Sequence, residues 1–179
     1  MDVAMNAVLS AASLVLVEAE PEAMSTLSLE ALTFARGLGG PVHAVVVGAL
    51  PAGGADELAA HGAIVAHQAQ DPRLDAYSAA AWAACVIDAA RACGAAVVLA
   101  PASPRGNEVM AHVAARLDAR MAANVTDVVS AQDADGGAAL RVHRQVMGGA
   151  VLEELDLSGA PALFTMAGHA VEHRAVDQP

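Results

Sequence analysis

The sequence predicts an α/β fold, a three-layer sandwich around a mostly parallel sheet, and three observations carry that expectation. Short valine-rich apolar runs alternate along the chain with stretches of helical periodicity, the pattern of repeated strand–helix–strand crossovers. The apolar runs are nearly continuous rather than alternating with polar residues, so both faces of the sheet need cover. In the C-terminal third the helical stretches give way to short apolar runs split by glycine-rich turns, which adds antiparallel strands or a hairpin.

In order, Leu14 to Val17 reads as a buried strand that opens into the loop Glu18-Ala19-Glu20-Pro21. Met24, Leu27, Ala31, Phe34 and Leu38 then recur at steps of three and four, one face of a helix with Ser25 as its N-cap and Gly39-Gly40-Pro41 as its stop. Val42 to Val47 is the second strand. A short helical segment spans Asp56 to His61, a third strand lies near Ala63 to His67, and a long helix runs from Asp75 to Cys93 with Tyr77, Ala80, Ala84 and Ile87 as its inward stripe. Ala96 to Ala100 is the fourth strand, followed by a helix marked by Val109, Val113 and Leu117. From Asn124, turns at Asp133-Ala134-Asp135-Gly136-Gly137 and Gly148-Gly149 suit hairpins, and Leu163 to Met166 closes the sheet. These elements divide the chain into an extension over residues 1–11, one domain over 12–168 and a polar, frayed tail over 169–179.

Composition narrows the chemistry. Of 179 residues 56% are hydrophobic, enough for one self-sufficient core, and the two cysteines, Cys85 and Cys93, have neither the spacing of a CxxC motif nor the number of a secreted disulfide framework. A reducing, cytoplasmic setting follows as the expectation. Net charge is −11, and all nine basic residues are arginines. Without lysine there is no Walker phosphate loop and no Schiff-base enzyme, and without a basic face no nucleic-acid binder. The apolar stretch Met1 to Val17 lacks the positive start of a secretory signal and is interrupted by Asn6, Ser10 and Ser13, so no membrane insertion is expected.

Ligands of open α/β sheets gather beyond the carboxyl ends of the strands, which directs attention to the loop after the fourth strand. Ser103, Arg105, Gly106 and Asn107 offer a hydroxyl, a fixed positive charge, a permissive backbone and an amide at a helix start whose free N–H groups favour an anion. The same residues are equally natural as a helix cap and turn. Other candidates carry structural readings. Gly37-Leu38-Gly39-Gly40 ends a helix, the wrong context for a dinucleotide fingerprint. His169 and His173 stand four apart but without a third ligand, in a segment expected to be exposed. His43 reads as a satisfied strand histidine, and His112 with Arg116 as a solvated helix face. Glu153 and Glu154 point to opposite sides of a strand, so they guard a sheet edge rather than converge for acid–base work. No GxSxG elbow supports hydrolysis.

Several segments together resemble the N-terminal domain of the alpha subunits of electron transfer flavoproteins. They are the opening Leu14-Val15-Leu16-Val17-Glu18, the helix running through Ala35-Arg36-Gly37-Leu38-Gly39-Gly40 into Pro41-Val42-His43-Ala44, Val97 to Ser103, Val113 to Asp118, and Val125-Thr126-Asp127-Val128. The sequence departs from the family pattern in having Arg105-Gly106-Asn107 where many members carry a Gly-Lys pair. Asn124 stands where an aspartate often precedes Val-Thr, and Met147-Gly148-Gly149-Ala150 replaces a Tyr-Ala-Gly-Asn stretch. Nothing corresponds to the C-terminal domain that holds most FAD contacts in the family. The resemblance therefore implies a scaffold that packs on a beta-subunit-like chain in a heterodimer, with FAD present in the assembled flavoprotein only and no catalytic activity in this chain alone. It also permits a free-standing module of the adenine nucleotide alpha hydrolase-like kind, binding AMP or ATP at Ser103 to Asn107, since the two groups share an architecture. A third option is a homo-oligomer without any ligand.

Overall fold

A computed structural model describes residues 10–132 and 138–176. The predicted turn at 133–137, most of the N-terminal extension and the last three residues lie outside the described residues. Eight strands, β1 (Ser13–Val17), β2 (Val42–Val47), β3 (Ala63–Ala69), β4 (Val97–Pro101), β5 (Met121–Gln132), β6 (Ala138–Val146), β7 (Val151–Ser158) and β8 (Ala162–Met166), form one sheet. The helices are α1 (Thr26–Gly37), α2 (Gly54–Ala60), α3 (Ala79–Cys93) and α4 (Pro104–Leu117).

The sheet order is β3-β2-β1-β4-β8-β5-β6-β7. All pairs from β3 to β5 are parallel, and β5-β6-β7 continues as an antiparallel meander. The mixed α/β sandwich expected from the sequence is therefore present. Successive strand residues feed opposite layers, as the pleat requires. Val15 and Val17 join Val42, Val46, Leu99 and Phe164 beneath α1, whereas Leu14 and Leu16 join Val45, Val98 and Leu163 beneath α3 and α4. Ser25 caps α1 as expected, accepting from the Ser28 N–H at 3.2 Å.

Three expectations change. The inward stripe of α3 is Ala79, Trp82, Ala83, Val86, Ile87 and Ala90, not one built on Tyr77, Ala80 and Ala84. The helix begins after the Ser78 cap, and Tyr77 precedes it with 42% of its surface exposed. In so alanine-rich a helix the large Trp82 sets the phase. Second, β8 lies in the interior between β4 and β5 rather than at a rim, with all five of its residues buried. Third, residues 169–176, expected to be frayed, are tied down. The buried carboxylate of Glu30, 4% exposed, accepts from the His169 N–H at 2.9 Å and lies 2.9 Å from His169 Nδ1. Beyond it the Arg174 N–H donates to Thr33 Oγ1, and the Val176 N–H to the Ala60 carbonyl, across α1 and α2. A Glu30 carboxylate left alone in that layer would carry a large desolvation cost, which its contacts with His169 offset.

Phe164 sits at the centre, fully buried and edge-on to Phe34 with ring centroids 5.9 Å apart. Phe164→Ala is expected to lower unfolding free energy by about 3–5 kcal/mol, whereas Ile64→Thr, on the exposed edge strand, changes it by no more than about 0.5 kcal/mol. Urea denaturation of the two variants beside the parent checks both.

Candidate functional site

The chain order reverses in the sheet between β1 and β4. From β1 the chain moves outward to β2 and β3, and β4 then returns to the other side of β1. Loops leaving the two strands diverge there, and in open α/β sheets the space beyond such strand ends is where a ligand crevice forms. Glu18 follows β1, and Ser103 follows β4.

Ser103 is the N-cap of α4, its Oγ accepting from the Gly106 N–H at 2.8 Å. The same hydroxyl donates to Glu18 Oε1 in a very short hydrogen bond. The Glu18 N–H in turn donates to Ser28 Oγ at 2.8 Å, and that hydroxyl lies 2.9 Å from Ser25 Oγ. One residue thus joins the starts of two helices across the crevice. Sequence reasoning missed Glu18 as a site residue; its position directly after a buried strand was the available signal.

The four residues anticipated from the sequence have separate tasks. Gly106 is buried against the end of β4, where an added Cβ would lie 2.1 Å from the Pro101 carbonyl oxygen. Asn107 reaches sideways to β8: the Thr165 hydroxyl donates to its Oδ1 at 2.7 Å and accepts from the Asn124 N–H at 3.2 Å. Asn124 has φ +60° in an irregularity of the β5–β8 pairing, a conformation that asparagine tolerates better than most residues. Arg105 is directed to aromatic rings, its Cζ standing 4.9 Å from the Tyr77 centroid and 5.0 Å from that of Trp82. Those rings meet edge-on, 5.4 Å apart, and the Tyr77 hydroxyl donates to Glu108 Oε2 at 2.7 Å. The Trp82 indole nitrogen is buried without a partner.

A helix start normally draws an anion through its free N–H groups. Here Ser103 takes one of those groups, and the Glu18 carboxylate bound to Ser103 supplies negative charge from within the chain. The charges of a phosphate placed here would meet that carboxylate.

Comparison with known proteins decides the affiliation. The electron transfer flavoprotein domain family matches residues 13–179. The alpha subunits of electron transfer flavoprotein from two Mycobacterium tuberculosis strains, CDC 1551/Oshkosh and ATCC 25618/H37Rv, are each 34% identical over 162 residues. That alignment takes in 89% of this chain and 48% of theirs. The chain belongs to the electron transfer flavoprotein family. It spans about half the length of those relatives.

Among the remaining candidates in this member of the family, His169 and His173 do not converge. His169 lies against Glu30, and His173 Nδ1 is 3.2 Å from His61 Nε2. His43, read as a satisfied strand histidine, does have a partner: its Nδ1 is 3.1 Å from His67 Nε2, the rings nearly parallel, with Cys93 close by. Burial, with the neighbouring His67, lowers the His43 pKa below that of a free imidazole. Glu153 and Glu154 line β7, the sheet's outer strand, where they pair with Arg144 and His143. No helix among the described residues is long and apolar enough to cross a membrane.

Two predictions test the crevice. Ser103→Ala should cost about 1–2 kcal/mol through loss of the cap, and Gly106→Ala about 3 kcal/mol or more because the Pro101 carbonyl cannot yield cheaply; chemical denaturation reads both. Tyr77 is the sole tyrosine, so ultraviolet titration of the phenol reports it alone. Burial, then the hydrogen bond to Glu108, pushes its pKa up to about 12. The expected midpoint is thus about 12 in the folded protein, against about 10 in urea. Since the unfolded chain ionises first, stability is complete below the lower value and falls as pH rises between the two. Glu108→Ala should move the folded midpoint part of the way down.

Proposed function

We propose that this chain is a scaffold domain of an electron transfer flavoprotein, packing on a beta-subunit-like partner and holding no flavin by itself. The observation that carries this reading is the end of the β6–β7 hairpin. Met147 is 81% exposed, Leu152 71% and Val151 44%, three neighbouring apolar side chains at the turn Met147–Gly149. Exposed apolar side chains at the end of a hairpin fit burial against another polypeptide.

Two further points support it. The family match extends over nearly the whole chain. The crevice that would receive a dinucleotide carries the Glu18 carboxylate on the Ser103 cap. In this reading FAD belongs to the assembled flavoprotein and is contributed outside this chain, and the work of residues 13–176 is to support and orient. Ser103, Arg105, Gly106 and Asn107 then hold α4 on the sheet; contact with AMP is the competing role for the same loop.

Co-expression with a beta-subunit-like chain and purification through a tag on this one should yield a stable complex, with the isolated chain colourless. Leu152→Asp should weaken the association at least about tenfold without changing the urea midpoint of the isolated chain, because it alters an exposed position. Failure to associate, or stoichiometric flavin in the isolated chain, would refute the proposal. Thermal unfolding with AMP, ADP or ATP separates the competing role: a ligand at about 100 times its dissociation constant adds roughly 2.7 kcal/mol, a shift of several degrees. No shift is expected. A shift abolished by Arg105→Ala would establish the nucleotide-binding module instead.

A further inference from the structure

We propose that His43, His67 and Cys93 form a zinc site with three protein ligands and a fourth position open to solvent. The site lies apart from the crevice. His43 is the second residue of β2, and Cys93 ends α3, so the cluster sits toward the amino end of β2.

The fold brings these donors together by register. β2 and β3 run parallel, with Val45 opposite His67 and His43 two residues before Val45. Residues two apart on a strand share a face, and directly paired residues share one too, so both imidazoles project on the side that α3 covers. Val45 packs in that layer, and Cys93 packs against it from the last turn of α3. One donor atom from each of the three lies within 4.8 Å of the other two.

The distances suit one small ion. Tetrahedral zinc with Zn–N bonds of about 2.0–2.1 Å sets its nitrogen ligands about 3.3–3.4 Å apart. His43 Nδ1 and His67 Nε2 are already 3.1 Å apart. The Cys93 sulfur has only a weak contact to give up, 3.7 Å to the Ala90 carbonyl. Two imidazoles and a thiolate are poor ligands for magnesium or calcium and good ones for zinc. Three protein ligands with a free position is the coordination of zinc sites that keep a water or bind an exogenous ligand. A groove of about 300 Å³, lined in part by Val45, His67, Cys85 and Asp88, lies beside His67. The ion would also fasten β3, an outer strand whose Ile64 is 66% exposed, to α3. The proposal is independent of any partner chain.

Cobalt titration of the chelator-treated protein tests it. One equivalent should produce the sulfur-to-cobalt charge-transfer band and the intense visible bands of a four-coordinate ion, both removed by added zinc. Cys93→Ser should abolish the charge-transfer band and Cys85→Ser retain it. His67→Ala should weaken zinc binding at least about 100-fold, beyond the loss typical of an outer-shell partner. Urea unfolding of each variant establishes that it folds. In the unmodified protein, zinc should slow maleimide alkylation of Cys93 and leave Cys85 unaffected, which needs no variant. Absence of the band, its survival in Cys93→Ser, or alkylation of Cys93 unchanged by zinc would overturn the assignment.

Discussion

Strands β1, β4 and β8 are buried along their whole length on both faces, and the rest of the architecture follows from satisfying that condition. Apolar ribbons of this kind are stable only if each face is covered and every backbone N–H and C=O is paired within the sheet. Right-handed crossovers place α1 and α2 on one side and α3 and α4 on the other. To cover both sides the chain must reverse its direction of travel across the sheet, and it does so between β1 and β4. The crevice at their ends is therefore a product of the packing.

The crevice is where polar groups must meet at the edge of an apolar core, and Glu18 resolves that need locally. Its backbone amide engages the first turn of α1, and its carboxylate accepts from the hydroxyl that caps α4. A carboxylate at a helix start is stabilised by the dipole there. The same placement gives the site negative charge before any ligand arrives. An incoming phosphate would have to compete with an intramolecular group for the Ser103 hydroxyl.

The elements legible in the sequence were those whose signals were local. Ser25 and the i, i+3, i+4 series through Leu38 placed α1 within two residues, and the valine run at β2 matched at both ends. The family was legible too, because its segments are strung along the chain in order. What failed depended on partners distant in sequence. Tyr77 could not be separated from the α3 stripe among so many alanines. Leu163 to Met166 identifies a buried strand but not its neighbours. Residues 169–176 read as polar and free because the acceptors that hold His169 and Arg174, Glu30 and Thr33, lie far back on α1. In the crevice the loop was found but not the assignment of each side chain, since Ser103–Glu18 and His43–His67 exist only once the parallel pairing sets their register.

The antiparallel end of the sheet obeys a different logic from the parallel end. On β6 and β7, Arg141 pairs with Asp156, Arg144 with Glu153, and His143 lies between Asp127 and Glu154. Half-exposed ion pairs of this kind contribute little to stability, about 0–1 kcal/mol each. Their effect is on association: a charged outer strand resists indiscriminate pairing with another sheet. The charges stop short of the turn, where Met147, Val151 and Leu152 are exposed together. Copies of a chain of net charge −11 repel one another, and a paired ladder of charges is best left hydrated.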